Sequence, residues 1–213
     1  MHNLISLDLK DCKIEDKQGN KLETIILPDD LEVIGRSAFS MCKKLKGDLI
    51  IPKSVRIIGY GAFYICSGLT GKLEIPEGIK KIGSWAFFRC SGFTGQLTIP
   101  QGVTEIGDHA FSNCSGLSGE LVIPGSVKAI GLFAFSGCSN FTGDLDIPVG
   151  VKTIGLKAFS QCSGLSTIKV NWKEPILYSS EMFPAKIRVL VPKSQVSRYS
   201  ETEGWKGHNI EGF

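Results

Sequence analysis

Proline stands at positions 28, 52, 76, 100, 124 and 148, and cysteine at 42, 66, 90, 114, 138 and 162. Both series advance by 24 residues. So do Gly35, Gly59, Gly83, Gly107, Gly131 and Gly155, and the Ala-Phe pairs that begin at Ala38, Ala62, Ala86, Ala110, Ala134 and Ala158. The shared unit reads L-x-I-P-x-x-V-x-x-I-G-x-x-A-F-x-x-C-S-G-L-T-G-x. Self-similarity at a fixed period means that each copy is one small structural unit, able to bury its apolar face only against its neighbours. Six stacked copies therefore predict a solenoid.

Each part of the unit has a physical reading. L-x-I-P alternates, so Leu73 and Ile75 point inward while Lys72 and Glu74 point out, as in a strand with one buried face. Pro76 closes that strand because it cannot donate the next ladder bond. V-x-x-I-G, as in Val103 to Gly107, is a second, short extended piece. A-F-x-x-C spaces Phe111 and Cys114 by three, which suits one helical or 3₁₀ turn. Ser-Gly and Thr-Gly then turn the chain into the next copy. Successive rungs lie about 4.8 Å apart, the spacing of neighbouring strands.

The unit, read from "IPEGIKKIGSWAFFRCSG" and its copies, resembles the BspA-like leucine-rich repeats of bacterial surface proteins over roughly residues 20 to 170. The resemblance implies a β-rich α/β solenoid: a right-handed leucine-rich-repeat stack of parallel strands, short extended second pieces and helical or 3₁₀ turns. It departs from the better-known leucine-rich pattern in having no Asn ladder. Three segments are expected: an N-terminal partial repeat or cap over 1–26, six repeats over 27–170, and a C-terminal cap over 171–213.

The ends carry their own signals. Leu22, Ile25 and Leu27 are spaced three and two apart, as are Leu165, Ile168 and Val170, against four and two for Leu69, Leu73 and Ile75. Ile5, Leu7 and Leu9 alternate like a partial first rung. After Val170 the tail predicts a short helix capped by Ser194, with Val196 and Tyr199 on one face, Gly204 at its stop and Trp205 beneath it. That tail is expected to cover the last open edge.

The net charge of +3 provides no concentrated basic patch, which argues against nucleic acid as a partner. No apolar run reaches the roughly 18 residues of a membrane span. "MHNLISLDLK" shows no signal peptide, and its start in mid-pattern fits a fragment of a longer chain. One cysteine per rung in a parallel ladder is poor geometry for rung-to-rung disulfides, so the ladder is read as buried free thiols, with Cys12 outside it and exposed. No catalytic constellation assembles. His109 lies at a variable position with no evident partner, and the loop "GLTGKL" has the wrong spacing for phosphate. The sequons at Asn113 and Asn140 fall inside the repeat. No metal or cofactor is expected.

Two surfaces remain. One is the exposed side of the L-x-I-P strands, including Lys72, Glu74, Gln96, Thr98, Glu120, Asp144 and Asp146, with an acidic corner. Its plain reading is a solvated face. The other comprises the variable positions after Gly and after Phe, where Tyr60, Tyr64, Trp85, Phe88 and Phe133 stand in place of small or polar residues. Large apolar groups gathered at a surface mark contact sites, unless they serve only to cover one another. The expectation is a non-enzymatic, monomeric binding or adhesion module that presents an extended surface to a protein or glycan. By resemblance it sits outside the cell or at its surface and engages host or matrix components. The rival readings are a spacer within a longer surface protein and a thiol-dependent enzyme using Cys12 or a ladder cysteine.

Overall fold

The computed structural model of the chain describes residues 6–7, 25–176, 181–185 and 187–213. Ile5, Leu9, Cys12 and Leu22 lie outside the described residues. The chain winds as a parallel-strand solenoid of about eight turns with little helix.

One wall is formed by the V-x-x-I-G pieces. Ser6–Leu7 (β1), Val33–Ile34 (β2), Ile57–Ile58 (β4), Lys81–Ile82 (β6), Glu105–Ile106 (β7), Ala129–Ile130 (β8) and Thr153–Ile154 (β10) make a seven-stranded sheet in that order. Its register repeats by whole units, with Lys81 opposite Glu105 and Glu105 opposite Ala129. β1 pairs with β2, Ser6 opposite Val33.

The L-x-I-P wall is less continuous. It comprises the pair Gly47–Asp48 (β3) and Leu69–Thr70 (β5), then isolated bridges such as Glu74 with Thr98. A four-stranded sheet follows only at the C-terminal end: Gly143–Ile147 (β9), Leu165–Val170 (β11), Arg188–Val191 (β12) and Asn209–Gly212 (β13). The proline that ends each copy of L-x-I-P removes a donor in every rung. The V-x-x-I-G piece has no such gap. Alternation is nonetheless as read: Leu73 and Ile75 are buried, Lys72 and Glu74 exposed.

The A-F-x-x-C stretch forms a third wall, and it is not the helical or 3₁₀ turn expected. In the third repeat, Ala86, Phe88 and Cys90 donate their N–H groups backward to Gly83, Trp85 and Phe87. Between them Trp85, Phe87 and Arg89 donate to the carbonyls of Asp108, Ala110 and Ser112 in the next rung. Backbone φ is positive at Trp85 (63°) and Arg89 (56°), and at the equivalent positions of every repeat, among them Ile65, His109 and Phe133. Alternation between right- and left-handed residues points every second N–H along the stack, while those between bond within the rung. Every inter-rung backbone bond of this wall therefore runs toward the C-terminus, from Ser37 donating to Tyr60 through Phe159 donating to Met182.

The walls enclose ladders of one residue type. Phe39, Phe63, Phe87, Phe111, Phe135 and Phe159 stack nearly parallel, and Phe183 continues the column 5.9 Å beyond Phe159. Ile34, Ile58, Ile82, Ile106, Ile130 and Ile154 are buried in the same way.

The tail does two things. β12 and β13 extend the L-x-I-P wall in parallel, Arg188 opposite Asn209, so the edge is prolonged rather than closed. A 3₁₀ turn at Lys193–Gln195 then leads into the helix Val196–Glu201 (α1). Ser194 is not the N-cap. It lies inside the 3₁₀ turn, and Gln195 takes the cap position without a side-chain bond. The helix stops at Thr202 rather than at Gly204. Tyr199 and Trp205 are fully buried with rings 4.9 Å apart, and they donate to the carbonyls of Trp172 and Ile176.

Candidate binding surface on the turn wall

The positive-φ wall carries two columns of variable positions. Two residues after each repeat glycine come Ser37, Gly61, Trp85, His109, Phe133 and Lys157; after each core phenylalanine come Ser40, Tyr64, Phe88, Ser112, Ser136 and Ser160. The spacing of 24 stacks each column along the wall. Trp85 and His109 are parallel at 3.9 Å between ring centroids, and His109 and Phe133 at 4.7 Å. Tyr64 and Phe88 stack at 5.1 Å, and Trp85 tilts against both, 5.9 Å from Tyr64 and 4.7 Å from Phe88.

Of the five aromatic residues singled out in sequence, the structure thus joins Tyr64, Trp85 and Phe88 directly and Phe133 only through His109. That histidine was read as a lone surface group. It is instead half-buried in the middle of the stack, and its place 24 residues after Trp85 and 24 before Phe133 was the signal available in sequence. Burial holds its imidazole below the ordinary value, partly offset by the carboxylate of Asp108. Its Nδ1 is buried with no hydrogen-bond partner among the described residues.

Tyr60, 46% exposed, stands beside the column and carries the guanidinium of Arg36 over its ring at 4.6 Å. Arg89 lies 5.3 Å over Phe88, and Lys157 lies 5.9 Å from Phe133. The surface is therefore a band of half-covered rings with cations along it. Where the column passes Gly61 there is a notch of about 260 Å³ lined by Ser37, Ser40, Tyr60, Gly61, Tyr64 and Trp85.

The other candidate residues lie apart, on the L-x-I-P wall. Lys72, Glu74, Gln96, Thr98, Glu120, Asp144 and Asp146 are all exposed. Glu120, Asp144 and Asp146 border a shallow depression of about 460 Å³ with Val122, Pro148 and Asn171. Asp144 accepts from Ser166 Oγ and Asp146 from Asn171 Nδ2, at 3.1 and 3.0 Å. Ile26, Ile50 and Val122 stand exposed on the same wall. Among the described residues no group of three or more His, Cys, Asp or Glu side chains is placed to hold a metal ion, and no helix is long and apolar enough to cross a membrane.

The cysteine ladder is more polar in its bonding than a column of small apolar groups. The thiols of Cys66, Cys90, Cys114, Cys138 and Cys162 donate to the carbonyls of Phe39, Phe63, Phe87, Phe111 and Phe135, each 27 residues earlier. All five are buried and free. Burial pushes Cys66 and Cys162 up to about 12, and the three between them well above the ordinary value. Such thiols hold no thiolate near neutral pH and are poor nucleophiles. Cys42 departs from the expected pattern: it is disulfide-bonded. The ladder argument concerned rung-to-rung pairs, and Cys42 stands at the ladder's end. Cys12 lies outside the described residues.

A family model described as BspA type leucine rich repeat region matches residues 17–142 and 94–184, in six copies. Among solved structures, the T. pallidum leucine rich repeat protein is similar at 28% identity, with 89% of this chain and 85% of that one covered and a TM-score of 0.62. A leucine rich cell surface protein from Faecalibacterium prausnitzii is similar at 24% identity, with 82% and 65% covered and a TM-score of 0.58. The pneumococcal vaccine antigen PcpA is similar at 19% identity, with 93% and 70% covered and a TM-score of 0.52. Among curated proteins no match to the chain was found.

Proposed function

Since this chain belongs to the BspA-type leucine-rich repeat family, we propose that it is a non-enzymatic binding module of a bacterial cell surface and that the aromatic column of its turn wall is the contact surface. The observation that carries this reading is the run Tyr64, Phe88, Trp85, His109 and Phe133. In the second column the other rungs place Ser40, Ser112, Ser136 and Ser160 where Tyr64 and Phe88 stand. The core does not require rings there, because the rungs with serine stack equally well. Aromatic residues with an arginine beside them are the groups that dominate measured interface hot spots. The raised thiols of the ladder support a non-catalytic reading. A surface location is supported by the likeness to a protein described as a leucine rich cell surface protein.

The test is a Trp85→Ala, Phe88→Ala double variant, screened with the parent chain against immobilised matrix proteins and glycans. The variant keeps its fold and loses at least tenfold in affinity, about 1.4 kcal/mol. If it binds as the parent does, the column only covers itself, and the depression beside Glu120, Asp144 and Asp146 becomes the contact surface. Antibody access to intact cells tests the location.

A further inference from the structure

Gly61 occupies a column in which the five other repeats carry Ser37, Trp85, His109, Phe133 and Lys157. Those five adopt φ between 54° and 63°, and Gly61 itself adopts 59°. The fold therefore tolerates a side chain at this position, at the left-handed cost that the five other repeats already bear, and the turn does not require the glycine. Its effect is to interrupt the column. A Cβ at Gly61 would make only ordinary contacts, 3.6 Å from Ser37 Oγ and 3.7 Å from Tyr64 Cβ, so the space above it is open. Trp85 stacks in parallel on His109 and, among the described residues, has no parallel neighbour on the side of Gly61.

The groups around this opening define what fits it. The hydroxyls of Ser37, Ser40, Tyr60 and Tyr64 have no hydrogen-bond partner among the described residues. Each can donate and accept. None of the six lining residues is an Asp, Glu, Lys, Arg or His. Arg36 already covers Tyr60 and Arg89 covers Phe88, which places positive charge against any cationic ligand. An apolar side chain from a partner would cover four hydroxyls without bonding them, at a free-energy cost for each. At about 260 Å³ the opening falls just below the usual range for small-molecule pockets and suits one ring.

Resting on the reading of this wall as the contact surface, we propose that the notch over Gly61 is a saccharide subsite that takes one neutral pyranose ring. The C–H face of such a ring carries slight positive charge and lies well on the negative face of the Trp85 indole. Its hydroxyls meet the four side-chain hydroxyls around the rim.

The test uses the full chain and methyl glycosides of glucose, galactose, mannose and N-acetylglucosamine. The Trp85 indole N–H is followed by nitrogen-correlated NMR; Trp172 and Trp205, both buried, are internal controls. At least one glycoside shifts Trp85 saturably and leaves the other two indoles unmoved. Gly61→Phe, which fills the column as Phe133 does, folds normally and removes the shift. Ser37→Ala weakens it at least threefold. No saturable shift from any of the four glycosides overturns the proposal, as does a shift that survives Gly61→Phe. If the glycosides fail while an immobilised matrix protein binds and the Trp85, Phe88 double variant loses it, the contact surface stands and the sugar subsite does not. If the double variant also binds as the parent does, both readings fall.

Discussion

The thiol of Cys114 donates to the carbonyl oxygen of Phe87, 2.9 Å away and one rung earlier in the stack. The same carbonyl accepts the N–H of Cys90 within its own rung. Phe39, Phe63, Phe87, Phe111 and Phe135 thus each have their backbone oxygen held from two rungs at once. Cys114→Ala removes the inter-rung donor and leaves a small cavity, so it destabilises the chain by about 1–3 kcal/mol. Cys114→Ser keeps a donor and loses less. Denaturant unfolding of both variants checks the order, and equal losses would show that the bond contributes nothing.

Alkylation at neutral pH leaves Cys66, Cys90, Cys114, Cys138 and Cys162 unlabelled in the native chain, because burial raises every one of them. After unfolding without reductant, those five label and Cys42 does not, since it is disulfide-bonded. Peptide mass spectrometry reads both states. Rapid native labelling of any ladder position would revive the thiol-enzyme reading.

Ile106→Ala, in a middle rung and fully buried, costs about 2–5 kcal/mol, the usual range for such a cavity. In a stack held by nearest-neighbour contacts, the loss divides the array. Hydrogen exchange then quickens on both sides of residue 106 before it quickens at the ends.

His109 titrates below the ordinary 6.5, since burial between Trp85 and Phe133 favours the neutral ring. Its folded value lies below its unfolded one. The stability it contributes is therefore present above pH 6.5 and is lost as pH falls through the lowered folded value. Imidazole C–H shifts give the midpoint. His208 is lowered by burial as well, so a His109→Gln variant identifies the signal. Trp85→Ala opens the ring to water and moves the midpoint back toward 6.5; an unmoved midpoint would show that the indole is not the cause.

Gln161 is exposed and held at φ 62°, where the equivalent residue one repeat earlier is Gly137. The left-handed region costs an ordinary L-residue about 1–2 kcal/mol, and glycine returns part of that gain through its greater chain entropy. Gln161→Gly stabilises the chain by about 0.5–1 kcal/mol in thermal or chemical unfolding. A loss would mean that the side chain contributes more than the backbone strain removes.

The sequence displayed the core directly, because burial repeats one residue type every 24 positions and leaves the Leu, Ile, Phe and Cys columns visible by inspection. It did not display the turn wall. A-F-x-x-C spacing is compatible with a helical turn and equally with the alternating handedness observed, and residues such as Ile65 and Phe133 give no sign of positive φ. The only local hints were Gly61 and Gly137, one in each left-handed column. Which L-x-I-P strands join into a sheet was equally hidden, since proline thins the ladder without abolishing the alternation. The aromatic cluster was legible in part. Position placed Tyr64, Trp85 and Phe88 together, but the partners of His109 sit a full repeat away on either side, where its neighbours in sequence give no sign of them. The bond at Cys42 lay beyond any argument drawn from the ladder's own period.

The one-way backbone hydrogen bonds of the turn wall give the column a head and a tail that differ chemically. At the N-terminal end this wall offers carbonyl oxygens and needs donors; at the C-terminal end it offers N–H groups and needs acceptors, and the carbonyl of Met182, receiving Phe159, is one of them. The two terminal segments are therefore not interchangeable parts. A repeat of 24 residues can be inserted or removed anywhere in the middle and finds complementary faces above and below. A tail grafted onto the front meets a wall with the same sign as its own. The length of this protein is free to vary in evolution, while its direction is not.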